Sequence, residues 1–363
     1  MFNSVPLSHL MRDRNNNFDF LRFLAASLVV FTHSFAFCPS GFATEPLSYI
    51  SQGHARLGGV AVAIFFVISG FLITMSYENS ESNREFLLKR CLRIFPGLAV
   101  VILLSIFFLG PIFSSYSLSA YFLDTGTFSY LSNIFLFRMH DELPGVFATN
   151  PLPNKINGSL WTLWYEFVCY LFVLGLGMAG MLRWKPILFL LCVCFFITVD
   201  WANVPVMWKI NDYLSVLRWQ EDYLELLPYF ACGSLIYLLR DKIPLSPILM
   251  VGAFLVLLLT LRTDIFKQAF AIAGTYLIIY FAFSRRLQLG NFTKKGDFSY
   301  GIYIYAYPVQ QAVSQIFQPD INWMGNFAIS FPLILLCAIA SWHWVESPAL
   351  LMKKRLHTIL IRR

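Results

Sequence analysis

The sequence predicts an all-α integral membrane protein of about ten transmembrane helices, with both termini in the cytoplasm. Hydrophobic residues make up 58% of the 363 positions, only 13% are charged, and the mean hydropathy is +0.63. A soluble chain carries roughly twice that share of charge. The apolar residues also gather in runs close to the ~20 residues that a helix needs to cross a bilayer. We therefore expect one transmembrane domain over residues 1–363, held in membrane lipid.

Ten apolar runs alternate with more polar loops. The fifth run is the weakest, and Gly233 interrupts the sixth. The segment 127–138 is apolar but short, so we expect it to lie at the interface or to re-enter the membrane rather than cross it. The predicted spans are 18–38, 57–77, 90–112, 160–182, 186–201, 224–239, 246–261, 266–284, 298–317 and 324–347.

The positions of Lys and Arg predict the orientation. With the N-terminus in the cytoplasm, nineteen of the 27 Lys and Arg residues lie on the inner side and seven on the outer side, and Arg22 lies in a span. Cytoplasmic loops carry such an excess of positive charge. An even number of spans then returns the C-terminus to the cytoplasm. The two longest loops, 113–159 and 202–223, would face outward, where they can contact an extracytoplasmic partner.

Composition also excludes several function classes. The net charge of +7 comes from short loops between apolar runs, not from one basic face, so we expect no nucleic-acid partner. The seven Cys residues include no Cys-x-x-Cys pair and have no His at a ligating distance in sequence, so we expect no metal site. Most of them lie in or beside apolar runs, where Cys usually serves as a small buried hydrophobe.

The first span carries an acid, a guanidinium and an imidazole: Asp19, Arg22 and His33. At ~100° per residue, Arg22 and His33 return to within about 20° of the same helix face, and Asp19 lies about 40° from His33. Ionisable groups are expensive in a bilayer and usually face a protein interior or an aqueous cavity. We interpret His33 as a general base beside Arg22. The alternative is a buried polar group with local partners.

The fourth span opens with Ser159-Leu-Trp-Thr-Leu-Trp-Tyr-Glu166. It runs in the opposite direction to the first span, so Glu166 and His33 are predicted to reach a similar depth. A carboxylate beside an imidazole fixes its tautomer and raises its basicity, as a general base requires. The alternative is that Glu166 and His33 are separate buried polar groups.

Two arginines follow the second span on the predicted cytoplasmic side. Arg90 and Arg93 are three positions apart and project from one face of a helical turn. Two such guanidiniums suit a phosphate, which each can bind through two hydrogen bonds. The alternative is ordinary positive charge flanking a span.

In the second span, Ser69 precedes Gly70. Close helix packing by small residues is the favoured interpretation, and a serine nucleophile would lack a base nearby in sequence.

Two tyrosines open the ninth span. Tyr300 and Tyr303 share a helix face, so they either line a polar cavity or belong to an aromatic belt at the membrane interface. At the end of the tenth span, Glu346 is expected to pair with an arginine on the inner side.

Together these segments resemble the acyltransferase-3 family, membrane O-acyltransferases that modify bacterial surface polysaccharides. The resemblance spans nearly the whole chain. It rests on Asp19-Phe-Leu-Arg22 with His33, Phe65-Phe-Val-Ile-Ser-Gly70, Arg90-x-x-Arg93 before Pro96, Ser159 to Glu166, Ser299-Tyr-Gly-Ile-Tyr303, and Glu346-Ser-Pro348.

The resemblance implies ten spans in a bacterial inner membrane and transfer of an acyl group, usually acetyl, from cytoplasmic acyl-CoA. The acceptor would be a hydroxyl of a surface polysaccharide or a lipid-linked glycan. It also implies that His33 and Arg22 form the catalytic pair, and that Arg90 and Arg93 bind the phosphates of the donor. Tyr300 and Tyr303 are expected beside the donor.

Two departures from the family pattern stand out. Many members carry a His two residues before the Pro of the ninth span, and Ala306 occupies that position here. Many also carry an esterase-like domain after the last span, which we do not expect in this chain.

The rival interpretation is a transporter, such as a flippase of lipid-linked sugars. It fits the spans and the intramembrane charge, but such a protein would cleave no acyl-CoA.

Overall fold

The computed structural model describes residues 5–13, 16–38, 41, 44–136, 139–184, 221–284 and 296–352. This part of the chain is mainly helical, and its one sheet is an antiparallel pair of two-residue strands, β1 (Val5–Pro6) and β2 (Pro244–Leu245). The helices are α1 (Leu7–Leu10), α2 (Phe18–Ala36), α3 (Pro46–Ile50), α4 (Leu57–Glu78), α5 (Asn83–Leu104), α6 (Gly110–Phe113), α7 (Leu118–Leu123), α8 (Thr125–Ser129), α9 (Trp161–Met178), α10 (Glu221–Leu238), α11 (Pro247–Thr260), α12 (Phe266–Ala269), α13 (Thr275–Ala282), α14 (Ser299–Phe317) and α15 (Trp323–Ser341).

Within the described residues, five helices are long and apolar enough to cross a membrane. Three shorter apolar helices match the predicted spans 224–239, 246–261 and 266–284. The long helices are Phe18–Ala36, Leu57–Glu78, Asn83–Phe113, Trp161–Met178 and Trp323–Met352, and the shorter ones are Leu226–Leu238, Pro247–Thr260 and Phe266–Ala282. The helical membrane character is thereby confirmed. The predicted span 186–201 and most of loop 202–223 lie outside the described residues, so ten spans and cytoplasmic termini stay predictions.

The predicted span 298–317 forms helix α14, but its composition is more polar than that of the five. It contains four tyrosines and three glutamines, and Gln310 and Gln311 are fully buried. The Gln310 amide nitrogen donates to the backbone oxygen of Val30 and to the side-chain oxygens of Ser34 and Asn326, at 2.9, 2.9 and 3.1 Å. Helix α14 is therefore an inner helix between α2 and α15, whose neighbours satisfy its polar groups.

Helices α4 and α10 pack most closely, and glycine makes this possible. A Cβ atom on Gly70 would overlap the backbone oxygen of Phe230, and one on Gly233 would overlap that of Val67. The Ser234 hydroxyl donates to the Gly70 backbone oxygen at 3.1 Å. Small residues allow helix backbones to approach in this way. The packing interpretation is confirmed for Gly70. Gly233, which interrupts the apolar run of the sixth span in the sequence, lies inside the continuous helix α10 and allows the same close contact.

The described part of the apolar segment 127–138, residues 127–136, forms only short helices. It contributes to helix α8 and to a 3₁₀ helix, Tyr130–Phe135, each a few residues long. Tyr130 is buried against the body of the protein. This part of loop 113–159 therefore folds back onto the helices.

Candidate active site

Two cavities lie side by side among α2, α4, α9 and α14. The first, of about 500 Å³, contains Arg22, Arg90 and Arg93, and we name it the arginine cavity. The second, of about 590 Å³, contains His33, and we name it the histidine cavity. Helix α2 therefore supplies a polar side chain to each. Among the described residues, the lining residues common to both cavities are Val62, Thr162 and Tyr303.

A network of ion pairs closes one side of the arginine cavity. The Asp297 carboxylate lies 2.5 Å from an Nη of Arg93 and 3.2 Å from an Nη of Arg22. Arg22 also pairs with Asp19 one turn earlier on α2. Arg93 lies 3.7 Å from the carboxylate of Glu346, so the expected pairing of Glu346 with an arginine is confirmed. Two of the three arginines are thus already matched by carboxylates.

Asp297 is the member of this network that sequence reasoning missed. It lies two residues before the first residue of α14, and its Oδ1 accepts from the Ser299 backbone nitrogen at 3.2 Å and from the Ser299 hydroxyl at 2.6 Å. Burial alone would raise the pKa of this carboxyl, but the charges of Arg93 and Arg22 outweigh burial and hold the pKa well below its usual range. The available signal was an acidic residue just before a helix, where it favours the helix dipole.

Arg90 has different surroundings. Its guanidinium lies 5.8 Å from the centre of the Tyr170 ring, and one Nη lies 3.5 Å from the Ser76 hydroxyl. Its Nε is buried without a hydrogen-bond partner, and Arg90 forms no ion pair with a carboxylate among the described residues. Of the three arginines, Arg90 is therefore the best placed to bind an anion.

Glu166 belongs to the arginine cavity and not to His33. Its Oε1 accepts hydrogen bonds from the Ser69 hydroxyl at 3.1 Å and the Tyr170 hydroxyl at 2.5 Å. Glu166 lines only the arginine cavity, and His33 lines only the histidine cavity. The expected pair of Glu166 and His33 is therefore wrong, because α9 turns this carboxylate towards the middle of α4. Ser69 is thereby close in space to a carboxylate that lies 97 positions away in sequence.

His33 faces a pocket with unmatched polar atoms. Its ring meets the ring of Tyr307 edge-on, with the centroids 5.4 Å apart. Its Nδ1 and the hydroxyl oxygens of Thr32 and Ser159 are buried without hydrogen-bond partners. All three residues line the histidine cavity. Buried polar atoms are rarely left unmatched, so this cavity suits a ligand rich in hydroxyl groups.

The two tyrosines line a cavity, and the aromatic-belt alternative is wrong. Tyr300 and Tyr303 are 9% and 7% exposed, because α14 lies inside the bundle. The Tyr300 hydroxyl donates to the Ile94 backbone oxygen at 2.7 Å, and its ring lies 5.6 Å from the Arg93 guanidinium. The Tyr303 hydroxyl lies 2.5 Å from the Thr162 hydroxyl.

Ala306, at the position where many family members carry His, is fully buried. It packs with Ala26 and Val30 of α2 and with Ile302 and Ala338 in a small apolar cluster. Ala306 lines neither the arginine cavity nor the histidine cavity. In this chain, the residue at that position contributes to helix packing.

The apolar helices and the order of the motifs along the chain agree with the membrane family that the sequence resembles. A family model described as "Acyltransferase domain" matches residues 15–343, and the chain belongs to this acyltransferase-3 family. Membership decides between the two interpretations in favour of the enzyme and against the transporter.

Two relatives give the comparison more detail. The chain is 31% identical over 345 residues to an O-acetyl transferase of Shigella phage Sf6, covering 92% of this chain and 95% of that protein. It is 29% identical over 385 aligned positions to Nodulation protein 10 of Rhizobium leguminosarum bv. viciae, covering 99% and 98%. No solved structure matches the chain. The family identifies the chain as an acyltransferase, and the first of these relatives is named for O-acetyl transfer.

Proposed function

We propose that this O-acetyltransferase binds acetyl-CoA in the arginine cavity and transfers its acetyl group to a glycan hydroxyl in the histidine cavity. The observation that carries the proposal is that helix α2 presents Arg22 to the arginine cavity and His33 to the histidine cavity. A donor and an acceptor then approach from opposite sides of one wall, which holds the reacting groups in a defined geometry.

The charges of the arginine cavity suit the nucleotide end of CoA. Arg90 is proposed to bind a phosphate, since its guanidinium has no carboxylate partner among the described residues. Arg93 and Arg22 are matched by Asp297 and serve to hold α5, α2 and α14 together at the mouth of the cavity. Glu166, Ser69 and Tyr300 would line the path of the pantetheine arm.

The histidine cavity suits a polyhydroxylated acceptor. His33, Thr32 and Ser159 line this cavity, and each has a buried polar atom without a hydrogen-bond partner, which we propose a sugar hydroxyl matches. Arg56 and Lys267 add positive charge to the lining, which fits a glycan carried on a phosphate-linked lipid.

The chemical step assigns His33 as general base. Its imidazole takes the proton of the acceptor hydroxyl as the hydroxyl oxygen attacks the thioester carbonyl. The tetrahedral intermediate collapses with cleavage of the carbon–sulfur bond, and the acetyl ester forms. The imidazolium proton then passes to the CoA thiolate, which leaves as the free thiol.

The excess of basic residues on one side predicts that the arginine cavity opens to the cytoplasm, where acetyl-CoA is made. The histidine cavity would then open outward, at a surface polysaccharide or a lipid-linked precursor. The proposed location is a bacterial inner membrane.

Release of CoA from acetyl-CoA tests the proposal, with purified protein in lipid nanodiscs and a glycan extract as acceptor. We expect CoA release that depends on the protein, together with acetyl ester appearing on the glycan. Thermal stabilisation by CoA measures donor binding without turnover. Protein that neither binds CoA nor cleaves acetyl-CoA would contradict the proposed donor.

A further inference from the structure

Among the described residues, three line both cavities, one from each of three helices, and we name them the wall. Val62 comes from α4, Thr162 from α9 and Tyr303 from α14. Thr162 and Tyr303 are 4% and 7% exposed. They are the described residues, with Val62, that line both cavities. Any group that passes between the cavities by the shortest route must pass this wall.

Hydrogen bonds hold the wall closed. The hydroxyls of Thr162 and Tyr303 lie 2.5 Å apart, and the Tyr303 hydroxyl donates to the Ser159 backbone oxygen at 3.0 Å. The Tyr303 ring also meets the ring of Phe65 edge-on, with the centroids 5.7 Å apart. Phe65 lines the arginine cavity, so the ring cannot swing far in that direction. The room for a group at the wall is therefore set by Val62 and by the hydroxyl pair.

We propose that Val62, Thr162 and Tyr303 form the passage that presents the donor's acyl group to His33, and that its width limits this group to about the size of acetyl. The inference rests on the proposed function, because it requires the thioester on one side and the base on the other. Acetyl adds one methyl group beyond the carbonyl, whereas butyryl adds two further methylenes. These must fit between the Val62 side chain and the Tyr303 ring, in an interior packed too densely to accept them without displacement.

The closed hydroxyl pair has a second consequence. In the absence of an acceptor, it separates the thioester from water in the histidine cavity. Loss of the Thr162 hydroxyl would leave that barrier weaker although the side-chain volume stays the same. The rate of acetyl-CoA hydrolysis without acceptor therefore measures how well the hydroxyl pair closes the wall.

The test measures CoA release from acetyl-CoA and butyryl-CoA by wild type, Val62→Ala and Thr162→Val in nanodiscs. Wild type should favour acetyl-CoA in kcat/KM by about tenfold or more. Val62→Ala should reduce this preference to about threefold, because it removes two methyl groups from the passage. Val173→Ala is the matched control: Val173 lies on α9, is 2% exposed and lines neither cavity. It should keep the wild-type preference.

Thr162→Val should raise the hydrolysis of acetyl-CoA without acceptor severalfold.

The outcomes separate this inference from the proposed function. If wild type is stabilised by CoA and cleaves acetyl-CoA, the donor assignment stands. An unchanged chain-length preference in Val62→Ala, or a wild type that uses both donors equally, then overturns the passage alone. Unchanged hydrolysis by Thr162→Val overturns the closing role of the hydroxyl pair. A wild type with no response to either CoA compound overturns both proposals together.

Discussion

The side chains of Arg93 and Asp297 lie 2.5 Å apart, although 204 positions separate these residues in the chain. This contact joins α5 to the start of α14. Arg22 of α2 meets the same carboxylate at 3.2 Å. One acid thus fixes the relative positions of three helices that surround the arginine cavity.

Replacing this acid should destabilise the protein. Asp297→Asn leaves Arg93 and Arg22 without their shared charge, and loss of one partner from a buried pair costs about 3–5 kcal/mol. Thermal unfolding in detergent should show a clear fall in Tm. Asp264→Asn is the matched control, because Asp264 pairs with His54 at 3.2 Å but its side chain is 99% exposed. Equal effects of the two substitutions would contradict the structural role of Asp297.

The ion pair of Asp297 with Arg93 also predicts that the stability of the protein depends on pH. The pKa of Asp297 is lowered in the folded protein, so its contribution is full above the unfolded pKa of about 4 and is lost as the pH falls towards the folded value. The difference in stability between wild type and Asp297→Asn should therefore be constant near neutral pH and shrink below about pH 4. Denaturation curves from pH 7 to pH 3 measure it. A difference that grows on acidification would have the wrong sign.

Arg90 and Arg93 should respond differently to substitution. Arg90→Ala should raise the KM for acetyl-CoA by about 10–100-fold with a small change in kcat, as expected for loss of a charge-assisted hydrogen bond remote from the reacting carbonyl. A short donor that lacks the nucleotide, acetyl-pantetheine, should be nearly indifferent to the change. Arg93→Ala should instead lower stability and impair both donors. If Arg90→Ala impaired both donors equally, the phosphate assignment would fail.

His33→Ala should reduce acetyl transfer by about 10²–10⁴-fold, the usual contribution of a general base. Abundance in the membrane and stabilisation by CoA should stay near wild type, because His33 does not line the arginine cavity. His343→Ala serves as the control, since this exposed His lies outside both cavities. Normal acetylation by His33→Ala would remove His33 as the base.

Glu166→Gln distinguishes its observed position from the expected one. In the arginine cavity, Glu166 accepts hydrogen bonds from Ser69 and Tyr170, so its replacement should raise the KM for acetyl-CoA. The pH dependence of kcat should stay as in wild type. A shifted pH profile with an unchanged KM is the result expected of a partner of His33, and it would refute this placement.

The sequence predicted those features that depend on local pattern. Hydropathy located the helices, and the separation of eleven residues from Arg22 to His33 placed both on the inner side of α2. It did not predict that Glu166 would meet Ser69, because small differences in helix tilt decide which side chains meet across α4 and α9. Asp297 was also missed, since its role depends on two arginines from distant helices. The polar helix α14 was predicted as an ordinary span, because hydropathy does not report burial inside a bundle.

The counter-charges of Arg22 and Arg93 become available at different times during synthesis. When the ribosome has produced the first span, Arg22 already has Asp19 three residues before it, so the nascent helix offers the translocon a neutralised pair. Arg93 emerges long before Asp297 and Glu346. Until α14 and the residues after α15 are made, we expect the charge of Arg93 to remain at the water-facing edge of the bilayer. We therefore expect closure of the arginine cavity to be a late event in biogenesis, which waits for residues 297–346 to be translated and for α14 to insert among helices already in place.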